Sequence, residues 1–406
     1  MQTIEQQNQF SEILEELGNT LDITETQYKA VVKSYEAVGA WLSKEDSLLV
    51  PYEPEILPQG SFLLGTMVKP IHDKDDLDID LVCQLKGKNP YWTQKVLKAK
   101  VGDQLKSNDT YKNMLKEEGR RCWTLVYADS ANYHLDVLPS IVDSGYRMIL
   151  EKAFSATELN DIDKLAIRIT DNQERNYATE MNHLEWLKSN PFGYAKWFEN
   201  KTNISSERKF SLNESIKPVP TYSKEKLPLQ RVVQILKRHR DIMFNGMENK
   251  PISIIITTLA AQAYNKETNI VEALVNIVRD MTYYILDFNP HTRESIKWIA
   301  NPINPEENFA DKWIGNPIMQ ENFYKWINQL NLDVQNFIGK RGVHLIQESL
   351  EKPFGKDIVT KAFSNYGEKQ LRLRETGGQF MASGTGIIGT EGTVIKNHHF
   401  YGKEDQ

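Results

Sequence analysis

The chain opens with apolar positions at three- and four-residue steps: Leu14, Leu17, Leu21, then Tyr28, Val31, Val32, Tyr35, Val38 and Leu42. That spacing draws one apolar stripe along a helix and predicts helical structure over 8–45. Residues 51–60, PYEPEILPQG, end the pattern with three prolines and a glycine. The period then falls to two. In LDIDLVCQL (77–85), Leu77, Ile79 and Leu81 face one way and Asp78 and Asp80 the other, as on a strand. CWTLVYA (122–128) and YHLDVLP (133–139) read as two strands forming a hairpin across Asp129, Ser130, Ala131 and Asn132. Between these strands, 91–118 reads as a helix on the sheet face. Beyond about residue 160 the segments 176–200, 227–244, 251–265, 268–286, 320–337 and 356–372 all suit helices. Pro228 and Pro251 stand where helices start. There is no internal repeat. Seven glycines between Gly377 and Gly402, with few large apolar residues, predict an extended or flexible tail.

These elements predict an α+β protein. A helical N-terminal spine and a small mixed α/β lobe occupy 1–160, a helical lobe 161–376, and a glycine-rich tail 377–406. A length of 406 residues suits two lobes. Hydrophobic residues at 40% and charged residues at 26% are ordinary for a globular chain, which argues against disorder outside the ends. No apolar run approaches the roughly 20 residues that span a bilayer. The start, MQTIEQQNQF, lacks the basic flank and apolar core of a secretory signal. A cytoplasmic protein with no membrane partner is therefore expected. Cys83 and Cys122 are too few for a disulfide framework or an ordinary zinc site. The net charge of −6 argues against a long nucleic-acid partner, whose phosphates demand a basic face. It favours small substrates that bring their own metal counter-charge.

The candidate chemistry lies in GSFLLGTMVKPIHDKDDLDIDL, from Gly60 to Leu81. Two aspartates at i and i+2 on one strand project from the same face, so Asp78 and Asp80 can bridge a pair of metal ions. A third carboxylate from a neighbouring strand, Asp136, completes the set. Its neighbours Leu135 and Val137 point the other way. Two magnesium ions roughly 3.5–4 Å apart would stabilise the attacking and leaving oxygens of an in-line phosphoryl transfer. Magnesium prefers such carboxylate oxygens, and manganese is able to substitute. Gly60 lets backbone approach a phosphate, and Ser61 offers a hydroxyl and an N–H. No Gly-Lys-Ser/Thr follows, so this is not a P-loop. An isolated Asp-x-Asp on a strand is usually a solvated face and an isolated Gly-Ser a common loop. The conjunction of Gly-Ser, an apolar-flanked Asp-x-Asp and a third strand aspartate carries the metal-dependent reading. Asp73, Asp75 and Asp76 sit in a loop-like run and read as solvated.

These residues resemble the DNA polymerase β-like nucleotidyltransferases, with their bilobal core. More closely, the chain is similar to the bacterial cyclic-oligonucleotide synthases, the CD-NTases related to animal cyclic GMP–AMP synthase and oligoadenylate synthase. Sixteen residues separate Ser61 from Asp78, a spacing similar to this group's. The phrase QGSFLLGT (59–66) resembles its signature. LKSNPFGYAKWFE (187–199), QILKRHRDIMF (234–244), PISIIITTLAAQAY (251–264) and NPINPEENFADKW (301–313) follow in the family's order. The resemblance implies that Gln59, Gly60 and Ser61 hold the triphosphate and that Asp78, Asp80 and Asp136 bind two metal ions. It also implies that Lys237 and Ser253 touch the triphosphate. Taken alone, Lys237 reads as a solvated lysine at the edge of an apolar stripe, and Ser253 as a helix cap. NPINPEENFADKW alone reads as a loop whose Asn and Asp side chains cap turns. His398 and His399 point apart on an extended chain and suit a docked tail better than a metal.

The resemblance implies synthesis of a cyclic di- or trinucleotide from ATP, with GTP or other triphosphates as further substrates, in a cleft between lobes. It implies a role in antiphage (CBASS) signalling, with a separate effector. In some such operons a ubiquitin-like partner conjugates the synthase C-terminus, but here Lys403 to Gln406 follow Gly402. The zinc module of the DNA-sensing animal relative has no counterpart in two scattered cysteines. A monomer is expected. Two other readings stand beside this one: a transferase acting on RNA ends or a small molecule, and an inactive nucleotide-binding scaffold.

Overall fold

A computed structural model describes residues 3–72, 76–127, 132–142, 148, 152, 162–203, 222, 223, 225–389 and 392–395. The chain divides into two compact units. One comprises Met1–Asp22, Arg231–Ile285 and Lys312–Gln406, and the other Ile23–Gln230 and Leu286–Asp311. The contacts therefore do not divide at 160 or 376. The N-terminal spine is also two helices, α1 (Ile4–Leu21) and α2 (Glu25–Leu42), one in each unit. The break has a local cause. Thr24 starts a fresh capping box, its hydroxyl accepting from the Gln27 N–H (3.1 Å) while the Gln27 carboxamide accepts from the Thr24 N–H (2.9 Å).

The second unit is built on a mixed sheet with strands β1 (Glu55–Pro58), β2 (Leu77–Lys86), β3 (Trp123–Tyr127), β4 (Tyr133–Val142), β5 (Ile167–Ile169) and β6 (Lys188–Ser189). Their order is β1-β2-β4-β5-β6, with β3 also paired to β4. β2 and β4 are parallel and the other pairs antiparallel. A one-turn helix, α3 (Gly60–Leu63), follows β1. The parallel pair needs a long connection, and this one holds two helices, α4 (Gln94–Lys106) and α5 (Asp109–Met114). The single helix expected over 91–118 is interrupted at Asn108, whose side chain caps the new turn by accepting from Thr110 and Tyr111 N–H groups. The helix expected over 176–200 starts only at Pro191, as α6 (Pro191–Thr202). Asn190, ahead of that proline, is held out of helical geometry and caps Gly193 instead. The hairpin expected from 122–139 is present as β3 and β4, with 128–131 outside the described residues.

Alternation along β2 decides where chemistry can sit. Leu77, Ile79, Leu81, Cys83 and Leu85 enter a core with Val31, Tyr35 and Val38 of α2 and Leu97 and Val101 of α4. A one-residue slip would bury Asp78 and Asp80 there instead, so the register is fixed. The opposite face is covered further along the strands, where Val82 meets Leu138, Val142, Ile167 and Phe192. At its start that face carries Asp78, Asp80, His134 and Asp136. NPINPEENFADKW contributes a short hairpin, β7 (Ala300–Asn301) with β8 (Asn304–Asn308). Asn308 ties its ends by accepting from the Ile299 and Ala310 N–H groups at 2.9 Å each.

The first unit is helical. α1 joins α7 (Pro228–Phe244) from Arg231 onward, α8 (Ser253–Ala263), α9 (Ile270–Asp280), α10 (Lys312–Gly315), α11 (Pro317–Ile338), α12 (Val343–Phe354) and α13 (Lys356–Glu375). Phe10 of α1 stacks on Phe337 of α11 at 5.7 Å between ring centroids. α7 buries its charged groups as well as its apolar ones. Arg231, only 1% exposed, donates to Asp22 (2.8 Å) and pairs with Glu15 (3.3 Å), and Gln234 donates to the other Asp22 oxygen (2.7 Å). A Cβ on Gly18 would meet the Arg231 side chain at 2.7 Å, which explains a glycine in mid-helix. The tail is neither simply extended nor undocked. β9 (Phe380–Met381) pairs with β10 (Ile388–Gly389) and β11 (Thr393–Val394), and Gln379 and Ala382 are buried. His398, His399, Gly402 and 403–406 lie outside the described residues. Among the described residues no helix is long and apolar enough to cross a membrane.

Candidate active site

The parallel register opposes Asp78 to His134 and Asp80 to Asp136. On the far side of β4, the antiparallel register opposes Thr124 to Asp136 and Val126 to His134. Two cross-strand rows result, Asp80–Asp136–Thr124 and Asp78–His134–Val126. Opposed residues in neighbouring strands share a face, so the three aspartates stand on one small, partly exposed polar field at the start of the sheet.

Each row has its own electrostatics. The Thr124 hydroxyl donates to Asp136 Oδ1 at 2.5 Å. His134 lies between acids: Nε2 is 2.8 Å from Asp76 Oδ2, and Nδ1 is 3.6 Å from Asp78 Oδ1. The Lys116 ammonium approaches the same Nε2 at 3.2 Å. Asp76 is therefore engaged with His134 rather than simply solvated. Asp73 and Asp75 lie outside the described residues. Desolvation by surrounding protein, and then the negative charge of Asp136, push the Asp78 carboxyl above the usual carboxylate range, with His134 and Lys116 offsetting part of this.

The turn before the sheet is fitted to Asp80. Gln59 N–H donates to the Asp80 carbonyl at 2.8 Å. Gly60 has φ +60°, and a Cβ there would collide with the Asp80 carboxylate. Glycine is thus required twice, by conformation and by space. Ser61 follows on α3, its carbonyl accepting from the Thr66 N–H at 3.0 Å. Phe62 stacks on Tyr28 of α2 at 5.2 Å and anchors the turn. Gln59, Gly60 and Ser61 are therefore brought together with Asp80.

Lys237 and Ser253 belong to the helical unit. Lys237 is only 5% exposed, so it is not a solvated surface lysine. Ser253 is the first residue of α8, and its side chain caps nothing. Its hydroxyl instead accepts from Arg240 Nη1 (2.9 Å), which also donates to the Pro251 carbonyl (3.0 Å). Arg240 lies three residues beyond Lys237, on the same side of α7. Arg240, Thr124 and His134 went unread in the sequence. Thr124 was accessible there: counting the 123–137 hairpin register places it opposite Asp136.

The donor set suits a hard divalent cation, being three carboxylates on one face. Desolvation is the larger cause of the raised Asp78 carboxyl, and the repulsion from Asp136 that adds to it is what a cation between the acids would relieve. Among the described residues no three His, Cys, Asp or Glu side chains converge closely enough to hold an ion as they stand. The carboxylates are held apart in two rows, one tied to Thr124 and another beside His134.

Comparison with known proteins bears on this geometry. Residues 54–139 match the family model described as cyclic GMP-AMP synthase DncV-like, nucleotidyltransferase domain. A c-di-GMP synthase of Roseivirga ehrenbergii is 30% identical over 381 residues, covering 93% of this chain and 92% of the relative. The cyclic dinucleotide synthase CdnG of Bradyrhizobium diazoefficiens is 24% identical over 402 residues, with 93% and 90% covered. The structure of the B. diazoefficiens CD-NTase CdnG in complex with GTP superposes with a TM-score of 0.64 at 20% identity, covering 88% of this chain and 99% of that one. Vibrio cholerae DncV, a cyclic AMP-GMP synthase caught with a linear intermediate, superposes with a TM-score of 0.51 at 15% identity, covering 87% and 88%.

Proposed function

The chain belongs to the CD-NTase family of DncV-like nucleotidyltransferases, and from that premise we propose that it condenses two nucleoside triphosphates, GTP among them, into a cyclic dinucleotide. It is a nucleotidyltransferase making cyclic oligonucleotides from triphosphates. The choice of GTP and of a two-nucleotide ring is supported by the relative of 30% identity, named a c-di-GMP synthase. The observation that carries the site assignment is the register that sets Asp80 opposite Asp136, with Asp78 two residues away and Gly60 seated on Asp80.

A ribose hydroxyl oxygen of one nucleotide gives up its proton to solvent and bonds to the α-phosphorus of the other, and the bond from that phosphorus to pyrophosphate breaks. The same exchange, repeated within the linear product, closes the ring. Asp78, Asp80 and Asp136 hold magnesium or manganese, which when bound supplies charge neutralisation and makes the attacking hydroxyl more acidic. Gln59, Gly60 and Ser61 receive the triphosphate at the turn. Lys237 and Ser253, with Arg240 beside them, contact the triphosphate, a reading that the family resemblance supports. The enzyme acts in the cytoplasm, its product a signal in antiphage defence; the family relationship supports both readings.

The test is incubation with labelled ATP, GTP, CTP and UTP, singly and together, with magnesium or manganese. A phosphatase-resistant product containing guanine is expected, with two pyrophosphates released per ring. Asp78→Asn/Asp80→Asn should abolish it. An equally active double variant, or a product that needs an RNA primer and keeps lengthening, overturns the proposal.

A further inference from the structure

Of the three aspartates, Asp136 stands out for its partner. Thr124 Oγ1 donates to its Oδ1 at 2.5 Å, within the range of short charge-assisted O–H···O⁻ bonds. Among the described residues no other side-chain hydrogen bond holds this carboxylate. Asp78 differs, since His134 Nδ1 lies 3.6 Å from its Oδ1, beyond hydrogen-bond reach.

Thr124 is well built for holding a neighbour. It lies directly opposite Asp136 in the antiparallel pair, where side chains are closest. Its β-branch leaves few χ1 rotamers, so the hydroxyl direction is set by the strand. The strand is itself secured, since the Thr124 carbonyl accepts from the Lys116 N–H at 3.0 Å and Trp123 is buried beside it. A stiff donor on one oxygen fixes the orientation of the carboxylate and engages Oδ1 rather than Oδ2.

We propose that Thr124 is the positioning residue of the active site, orienting Asp136 so that one defined oxygen is presented to a divalent cation. This rests on the reading of Asp136 as a metal-binding acid. Such supporting hydrogen bonds around a metal site typically change affinity or activity by about 10–100-fold.

Three proteins decide the matter: wild type, Thr124→Val, which keeps the shape and removes the donor, and Thr124→Ser, which keeps the donor. Two measurements are made on each full chain. One is Mn²⁺ binding without nucleotide, from the free-ion paramagnetic resonance signal. The other is steady-state turnover, with kcat and KM separated. Thr124→Val should weaken Mn²⁺ binding about tenfold or more and lower kcat about 10–100-fold, leaving nucleotide KM within about threefold. Thr124→Ser should return both to within about threefold of wild type. Thermal unfolding checks that each variant folds, and Thr124→Ser keeps the test decisive if Thr124→Val does not. Unchanged Mn²⁺ affinity in Thr124→Val, or equal damage in Thr124→Ser, overturns the inference. A wild-type protein that binds no Mn²⁺ sinks the metal reading of Asp136 itself.

Discussion

Replacing Gly60 by alanine makes two separable demands on the structure. The first is conformational. At φ +60° an alanine pays the left-handed penalty of about 1–2 kcal/mol. For a unit of this size that lowers the melting temperature by about 2–4 °C per kcal/mol. The second demand is spatial, because the new Cβ would collide with the Asp80 carboxylate. Relief requires the turn or the carboxylate to move by about an ångström, a displacement that can cost about 100-fold in rate. Gly87, just past the end of β2, provides the control. Its φ is +75°, yet an added Cβ meets nothing within 4 Å. In calorimetric melts Gly87→Ala should therefore lose the conformational part alone, and Gly60→Ala at least as much. Only Gly60→Ala should lose activity, by about 100-fold in a pyrophosphate-release assay. If both variants keep wild-type turnover, Gly60 does not govern the position of Asp80. If both lose it equally, backbone strain rather than collision is responsible.

Three further outcomes follow from other contacts. Asp171 is fully buried; desolvation would raise its carboxyl, but hydrogen bonds from Arg120, Arg121 and the Gln173 N–H outweigh that and hold it down at about 2. Its folded value lies below the unfolded 3.8, so its stabilisation is present above that pH and is lost as pH falls towards about 2. With both arginines half-exposed this amounts to about 1–2 kcal/mol, so wild type and Asp171→Asn should differ by that much in urea unfolding at pH 7 and converge near pH 2. Gly18→Ala should lose about 1–3 kcal/mol in the same assay by crowding Arg231, although alanine is the better helix former. Asp78→Asn/Asp80→Asn should keep the wild-type melting temperature within a few degrees while releasing no pyrophosphate, since Asp78 is exposed, Asp80 is only half-buried, and asparagine keeps the shape of aspartate.

The legible parts of this protein were those with a short period or a fixed spacing. Alternation in 77–85 placed Asp78 and Asp80 on one face, and the short runs around Leu125 and Leu135 gave the hairpin that aligns Asp136. What escaped reading depends on partners distant in sequence. Nothing near Lys237 announces that Arg231, Gln234 and Arg240 are buried, because their partners are Asp22, Asn19, Ser253 and the Pro251 carbonyl. Continuous apolar spacing through 8–45 hid the break at Thr24, where one side chain's cap overrides the stripe. The glycines of 377–389 suggested a loose tail, but glycine content does not register the pairing of Phe380–Met381 with Ile388–Gly389.

The interleaving of the two units has a consequence for how the protein is made. The helical unit is assembled from three separate stretches, and its first helix bonds to its last long one: Gln370 of α13 donates to Glu12 of α1 across 358 positions. As the chain leaves the ribosome, the sheet unit can bury β2 against β4 within a few dozen residues. α1 meets α7 through Arg231 first, but the part of its surface that packs on α13 stays uncovered until residues 356–375 have been synthesised. Long-range closure of this kind is slow and leaves sticky surface exposed. Removing α1 or α13 would leave no shorter protein with an intact helical unit.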